Sequence, residues 1–422
     1  MVIESYKTSK KFIFFAAVLG NILEYYDFTV YSIFSIVIGQ TFFNSEDPFI
    51  QTLSSLAVFA SGFLTRPIGG IVFGYIGDRY GRKRSLICSM IGMTLPTLII
   101  GFLPGYDTIG FFAPILLLIS RLVQGFSLSG EGVGTAIFIL EHYHKSHPGF
   151  ITALAHSTNT IGPLLASSIG IIISKYFSHE PNAWRIAFLL GGLFGIVGFI
   201  LRLKISETPI FINMSIQKSK KAPFIDVVQN SLPLMILTLT VGAVTSSIVY
   251  LVKSYINIFY VDVMKLDDLV SLQYSSYSFI ILTTAMPIFG ILVDIWGKKR
   301  MMIIVVISLI FLTTPALLLM ASHNLCYRVL GLTLLPLLAG AVAGCSYIFI
   351  ISLFSPEQRF TGVTFSFNLG IAIFGGTSAM VSRLLVEKTG LYYAPGFYIL
   401  LTSSLFLIAL VFNSERISRL PI

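Results

Sequence analysis

In this chain of 422 residues, 55% are hydrophobic, only 11% are charged, and the mean hydropathy is +0.86. Soluble domains carry about 25% charged residues, so the composition excludes a soluble globular protein and places the chain in a lipid bilayer. The net charge of +9 lies in short segments between apolar runs, which fits cytoplasmic loops and argues against nucleic acid as a partner, and the three cysteines Cys88, Cys326 and Cys345 have no disulfide or metal spacing.

A membrane-spanning helix needs about 20 mostly apolar residues. Twelve runs qualify: 12–40, 51–76, 85–103, 111–140, 150–174, 186–204, 231–260, 270–294, 301–321, 327–354, 361–385 and 392–412. The expected fold is therefore an all-α membrane protein of twelve transmembrane helices. Residues 1–204 form one six-helix half and 231–422 the other, joined by a cytoplasmic linker over 205–230 that holds Lys218, Lys220 and Lys221 and has room for a short surface helix. Most of the lysines and arginines, including Arg79, Arg82, Arg202 and Lys298, fall on the side that then faces the cytoplasm. This bias puts both termini inside.

The first run follows Lys7, Lys10 and Lys11 but contains Asn21, Glu24 and Asp27, so it reads as a retained span rather than a cleaved leader. Asn21, Glu24, Asp27 and Tyr31 recur at helical spacing and share one face, with Asn21 and Tyr31 as candidate substrate contacts. A charge near the bilayer centre costs roughly 2.5–3.5 kcal/mol on insertion scales, so it marks a partner or a pathway. Two carboxylates one turn apart favour proton uptake by one of them, which makes Asp27 or Glu24 the candidate proton-coupling acid. Tyr25, Tyr26 and Tyr31, with Tyr250 and Tyr255, offer rings for an aromatic cage around a quaternary ammonium.

The second run carries Arg66, whose role is open, and ends in Gly74-Tyr-Ile-Gly-Asp78-Arg79-Tyr-Gly81-Arg82-Lys83-Arg84. The eighth run ends in the related Gly290-Ile-Leu-Val-Asp294-Ile-Trp-Gly297-Lys298-Lys299-Arg300, half a chain further on, so the protein is built from two related halves. Glycine permits a tight turn, and the basic triplet suits anionic headgroups. The aspartate can dock at a helix N-terminus or pair with an arginine. Asp78 is thus a candidate conformational latch.

Arg121 lies in the fourth run, and rise per residue puts it about 15 Å from one face, with Glu24 about 18 Å from the other. Both are then near mid-membrane, where Arg121 can bind a helix-1 acid or a substrate carboxylate and Gln124, one turn on, can share that ligand. Glu131 falls nearer the cytoplasmic end and is expected in a gate or in the ion pairs of the loop at Gly74–Arg84. His142, His144 and His147 read as a solvated loop, and His156 as a further candidate for a proton path. Lys253, in the seventh run, is a candidate substrate contact.

The Gly74–Lys83 stretch resembles the signature loop of the major facilitator superfamily. Gly20-Asn21-Ile-Leu-Glu24-Tyr25-Tyr26-Asp27-Phe28, Arg66-Pro67-Ile-Gly69-Gly70 and Arg121-Leu-Val-Gln124-Gly125-Phe126-Ser127 resemble its metabolite:proton symporter family, which includes proline/betaine, citrate, α-ketoglutarate and shikimate transporters. The resemblance implies the two-half fold and puts Arg121 in a motif associated with proton coupling. At Lys253 the chain departs from the Tyr/Pro segment usual in relatives.

No nucleotide-binding loop is present. The expected function is secondary active transport without cofactor or metal: proton-coupled symport of a small organic acid or zwitterion by a monomer, in a bacterial inner membrane. Gly162-Pro163 with Ala166 and Ser167 partly resembles an antiporter signature, so a proton-driven exporter is the first alternative, and a non-transporting receptor the second.

Overall fold

The computed structural model describes residues 9–143, 147–177, 179–180, 182–215 and 223–414. No strand occurs among them. Among the described residues, eleven helical segments are apolar and long enough to cross a membrane: spans 1–4 (Lys10–Ile33, Ser54–Tyr80, Arg82–Phe102, Phe112–Tyr143), span 6 (Trp184–Leu203), span 7 (Phe224–Val263), and spans 8–12 (Leu269–Trp296, Lys298–Met320, Leu325–Ser352, Arg359–Thr389, Pro395–Phe412). The remaining run, span 5, is helical over Pro148–Ser157 and Ile161–Tyr176, with a 3-10 turn at Thr158–Thr160 between them. The protein is thus an all-α, multi-pass membrane protein with eleven to twelve candidate crossings. In the 205–230 stretch a short helix forms at Pro209–Ser215, and the helix entering span 7 already begins at Pro223, with a non-helical Ser231 inside it.

The chain folds into two compact units, Met1–His142 with Thr158–Pro223 and Tyr143–Ser157 with Phe224–Ile422. In the first, span 2 packs on span 4, span 3 on span 6, and span 1 on the second half of span 5. Glycines set the closest approaches. Gly62 of span 2 lies against Arg121 and Gly125 of span 4, and Gly162 of span 5 against the span-1 backbone at Ile22–Tyr26. Gly162 therefore serves close helix packing. In the second unit, Pro148–Ser157 packs on spans 8 and 10.

The two signature loops shrink to single residues. Span 2 runs through Asp78 and Arg79 to Tyr80, Gly81 turns the chain at φ 114°, and span 3 begins at Arg82. Gly297 does the same between spans 8 and 9 at φ 87°. Only glycine takes such a backbone without strain. A Cβ on Gly81 would also strike Glu207.

Candidate functional site

Asp27 of span 1 is 3% exposed and accepts two hydrogen bonds, 2.8 Å from Thr97 Oγ1 and 3.1 Å from Arg121 Nη1. Arg121 Nη1 also donates to Gln124 Oε1 at 2.8 Å, and Gln124 Nε2 donates to Thr97 Oγ1 at 2.9 Å. Spans 1, 3 and 4 thereby close a ring of four side chains around one buried ion pair. The guanidinium lies 3.8 Å from the Tyr31 ring centroid, and the Tyr31 hydroxyl donates to the Ser55 carbonyl of span 2. Among the described residues, Arg121 Nε and Nη2 find no hydrogen-bond partner.

The structure thus brings together Asp27, Arg121, Gln124 and Tyr31. Asn21 is fully buried two turns earlier on span 1, and the Glu24 side chain lies outside the described residues. Lys253 belongs to the second unit, half-buried in a π-helical turn over Leu251–Tyr255 and within electrostatic reach of His156. His156 stacks flat on Tyr347 at 3.9 Å with Nδ1 2.9 Å from the Ala343 carbonyl oxygen. Tyr26 does not turn toward Tyr31. It faces span 6, donating to the Ala187 carbonyl and packing edge-on against Phe194, because the two tyrosines sit more than a full turn apart on different faces.

Three arginines met as separate charges in the sequence are neutralised inside the first unit. Arg82, expected at headgroups with its basic neighbours, is instead fully buried, 3.2 Å from Asp78 and 3.3 Å from Glu141. Glu141, at the end of span 4, also accepts from Thr208. His142 beside it is buried, its Nδ1 on the Phe138 carbonyl, rather than in a solvated loop; His144 lies outside the described residues, and His147 is exposed. Arg202, counted among the cytoplasmic bases, is fully buried and grips Glu131 through both terminal nitrogens, with Ser89 donating to the same carboxylate at 2.7 Å. Glu131 therefore pairs with span 6 and not with the signature loop. Arg121 with Asp27 completes the set.

Among the other loop residues, Gly74 is buried, Arg79 is exposed over the Tyr75 and Tyr80 rings, and Lys83 N–H donates to Glu207. Burial pushes the Glu207 carboxyl up, and the Thr208 and Lys83 amides pull it back. The two aspartates that the repeat equates bond differently within their own units. Asp78 holds Arg82, while Asp294 accepts the backbone amides of Gly149 at 2.7 Å and Phe150 at 2.9 Å, at the start of the helix Pro148–Ser157. A carboxylate there meets unpaired amides and the positive helix end. Asp294→Ala leaves those amides open and is expected to cost about 1–2 kcal/mol, read as a lower thermal midpoint in detergent.

Thr97 and Arg202 escaped the reading of the sequence as site residues. Thr97 is one hydroxyl in an apolar run, and only its position beside Pro96 sets it apart. The signal for Arg202 was its place inside the helical run, before Leu203, rather than after it.

The model of the Major Facilitator Superfamily matches residues 17–379. A putative proline/betaine transporter of Staphylococcus haemolyticus is 32% identical over 93% of this chain and 85% of its own length. A glycine betaine/proline/ectoine/pipecolic acid transporter of Dickeya dadantii is 29% identical over 96% and 83%. The solved structure of the proton:xylose symporter XylE bound to 6-bromo-6-deoxy-D-glucose superimposes with a TM-score of 0.77 at 16% identity, covering 96% of this chain and 95% of that one, a likeness of fold.

Proposed function

Because the chain belongs to the Major Facilitator Superfamily, we propose that it is a proton-coupled symporter of small zwitterionic osmolytes, working by alternating access between the halves 1–204 and 231–422, with both termini in the cytoplasm of a bacterial inner membrane. It is a transporter and not an enzyme. Proline, glycine betaine, ectoine and pipecolic acid, which the relatives' names give as their substrates, share one carboxylate and one cationic nitrogen. That shared chemistry supports the zwitterion over a dicarboxylate.

The observation that carries the proton-coupling reading is the closed ring of Asp27, Arg121, Gln124 and Thr97. An ion pair inside an apolar bundle costs more desolvation than a hydrophobic pair of the same volume, so it is a poor device for stability alone. Protonation of Asp27 cancels its charge and loosens its hold on Arg121. In this reading Arg121 reaches substrate only while Asp27 is protonated, so proton and substrate cross together. Gln124 and Thr97 keep the two groups aligned as the charge changes, and Tyr31 covers the guanidinium face. Asn21 and Lys253 remain further proposed substrate contacts.

Proteoliposomes given an inward proton gradient are expected to accumulate proline or glycine betaine. Depletion of preloaded substrate under the same gradient would make the protein an exporter instead.

A further inference from the structure

One buried cation stands apart from the set above. Arg82, Arg121 and Arg202 each hold a carboxylate. Arg66, on span 2, is 2% exposed and has no ion pair among the described residues, and its Nε has no hydrogen-bond partner. Its guanidinium instead lies over two aromatic faces, 4.6 Å from the Phe63 centroid and 5.5 Å from that of Phe28. Ring faces attract a cation but do not replace a counter-charge. A buried charge without one is strongly unfavourable, and in a membrane interior such a group marks a substrate or ion pathway.

The backbone around Arg66 is held firmly. Gly62 and Gly69 on either side are packed against the span-4 backbone, and Thr65 Oγ1 donates to the Leu122 carbonyl at 2.9 Å. The Arg66 side chain reaches the other way, to Phe28 of span 1. Beyond it the rings continue: Phe28 lies 4.3 Å from Phe59 and 5.2 Å edge-on from Phe63, and Phe59 stacks on Tyr31 at 5.8 Å. Phe28 and Phe59 are only half-buried. A guanidinium with no acid among the described residues thus stands at one end of an aromatic wall, and Arg121, paired with Asp27, lies against Tyr31 at the other.

We propose that Arg66 is the anion anchor of the substrate site, binding the carboxylate of the zwitterion while its ammonium-bearing body lies against Phe28 and Phe59. The inference rests on the symport reading and extends it. Arg121, paired with Asp27, answers to the proton and joins the substrate once Asp27 is protonated, whereas Arg66 holds the substrate carboxylate without having to give up an acid of its own among the described residues.

The test compares the unmodified protein with Arg66→Gln and Arg66→Lys, in proteoliposomes for uptake and in detergent for thermal unfolding. Glycine betaine and proline are the carboxylate probes, and choline and pyrrolidine the matching cations without a carboxylate. The unmodified protein is expected to accumulate the first pair and to be stabilised by it, but not by the second. Arg66→Gln is expected to raise KM by about tenfold or more, with an unliganded thermal midpoint equal to or above that of the unmodified protein, since an uncompensated charge has been removed. Arg66→Lys should fall between. An unchanged KM in Arg66→Gln, or a fall in its unliganded midpoint, identifies Arg66 as a structural cation and overturns the inference while leaving symport intact. Failure of the unmodified protein to accumulate any probe overturns the symport reading, and the anchor with it.

Discussion

Asp27→Asn is expected to exchange labelled substrate across the membrane at close to the unmodified rate, while accumulation driven by a proton gradient falls to background. Asparagine keeps the shape of the side chain and one of the two oxygens, which can accept from Arg121 Nη1, while its amide nitrogen takes the place of the oxygen that faces Thr97 Oγ1. It cannot take up or release a proton. One pH unit corresponds to 1.36 kcal/mol, or about a tenfold accumulation per proton carried, so the loss is at least tenfold for each pH unit imposed. Asp27→Leu separates coupling from mere integrity of the site. It leaves Arg121 buried without its acid and is expected to lose exchange and stability together. Full accumulation by Asp27→Asn would remove Asp27 from the coupling role and turn attention to Glu24, one turn away on the same helix.

The largest stability effect is expected at Glu131→Ala. Arg202 is fully buried, donates to Glu131 through Nη1 and Nη2, and satisfies its remaining donors on the carbonyls of Ala16, Ala17 and Leu86. Span 6 is so tied to spans 1, 3 and 4 at one point. Removing the acid strands a guanidinium away from water, a change that costs about 3–5 kcal/mol. For a chain of this size that corresponds to a fall of roughly 5–10 °C in the thermal midpoint. Replacing both partners, Glu131→Leu with Arg202→Met, removes the stranded charge and is expected to recover most of the loss. A midpoint of Glu131→Ala close to that of the unmodified protein would mean that the three carbonyls hold the arginine and that the acid contributes little.

The contrast between Arg202 and Arg66 bears on both stability and function. Each is a buried arginine inside an apolar span, although the sequence counts Arg202 among the cytoplasmic bases and puts Arg66 within the second run. One removal is expected to destabilise because a partner remains behind. The other is expected to be neutral or stabilising because none does. Local stability given up at a binding residue is the ordinary cost of keeping a site open for its ligand.

Hydropathy alone determined the membrane setting and the number of crossings, because the length of an apolar run is a local property that bilayer thickness reads directly. The glycines of the two signature turns were equally legible, since Gly81 and Gly297 adopt backbone angles set by one residue. So was the face of span 1 that carries Asp27 and Tyr31, which follows from helical spacing. What the local pattern could not reveal was which charge meets which. Asp27 and Arg121 are 94 residues apart, Glu131 and Arg202 are 71 apart, and Arg82 finds Glu141 across 59. These pairings depend on how each helix is rotated about its own axis when it packs, and small residues such as Gly62, Gly69 and Gly162 set that by deciding which backbones approach. Only the tertiary structure therefore turned two bases counted as cytoplasmic, Arg82 and Arg202, into buried partners, brought the unmarked Thr97 into the Asp27 ring, and left Arg66 as a buried cation without an acid among the described residues.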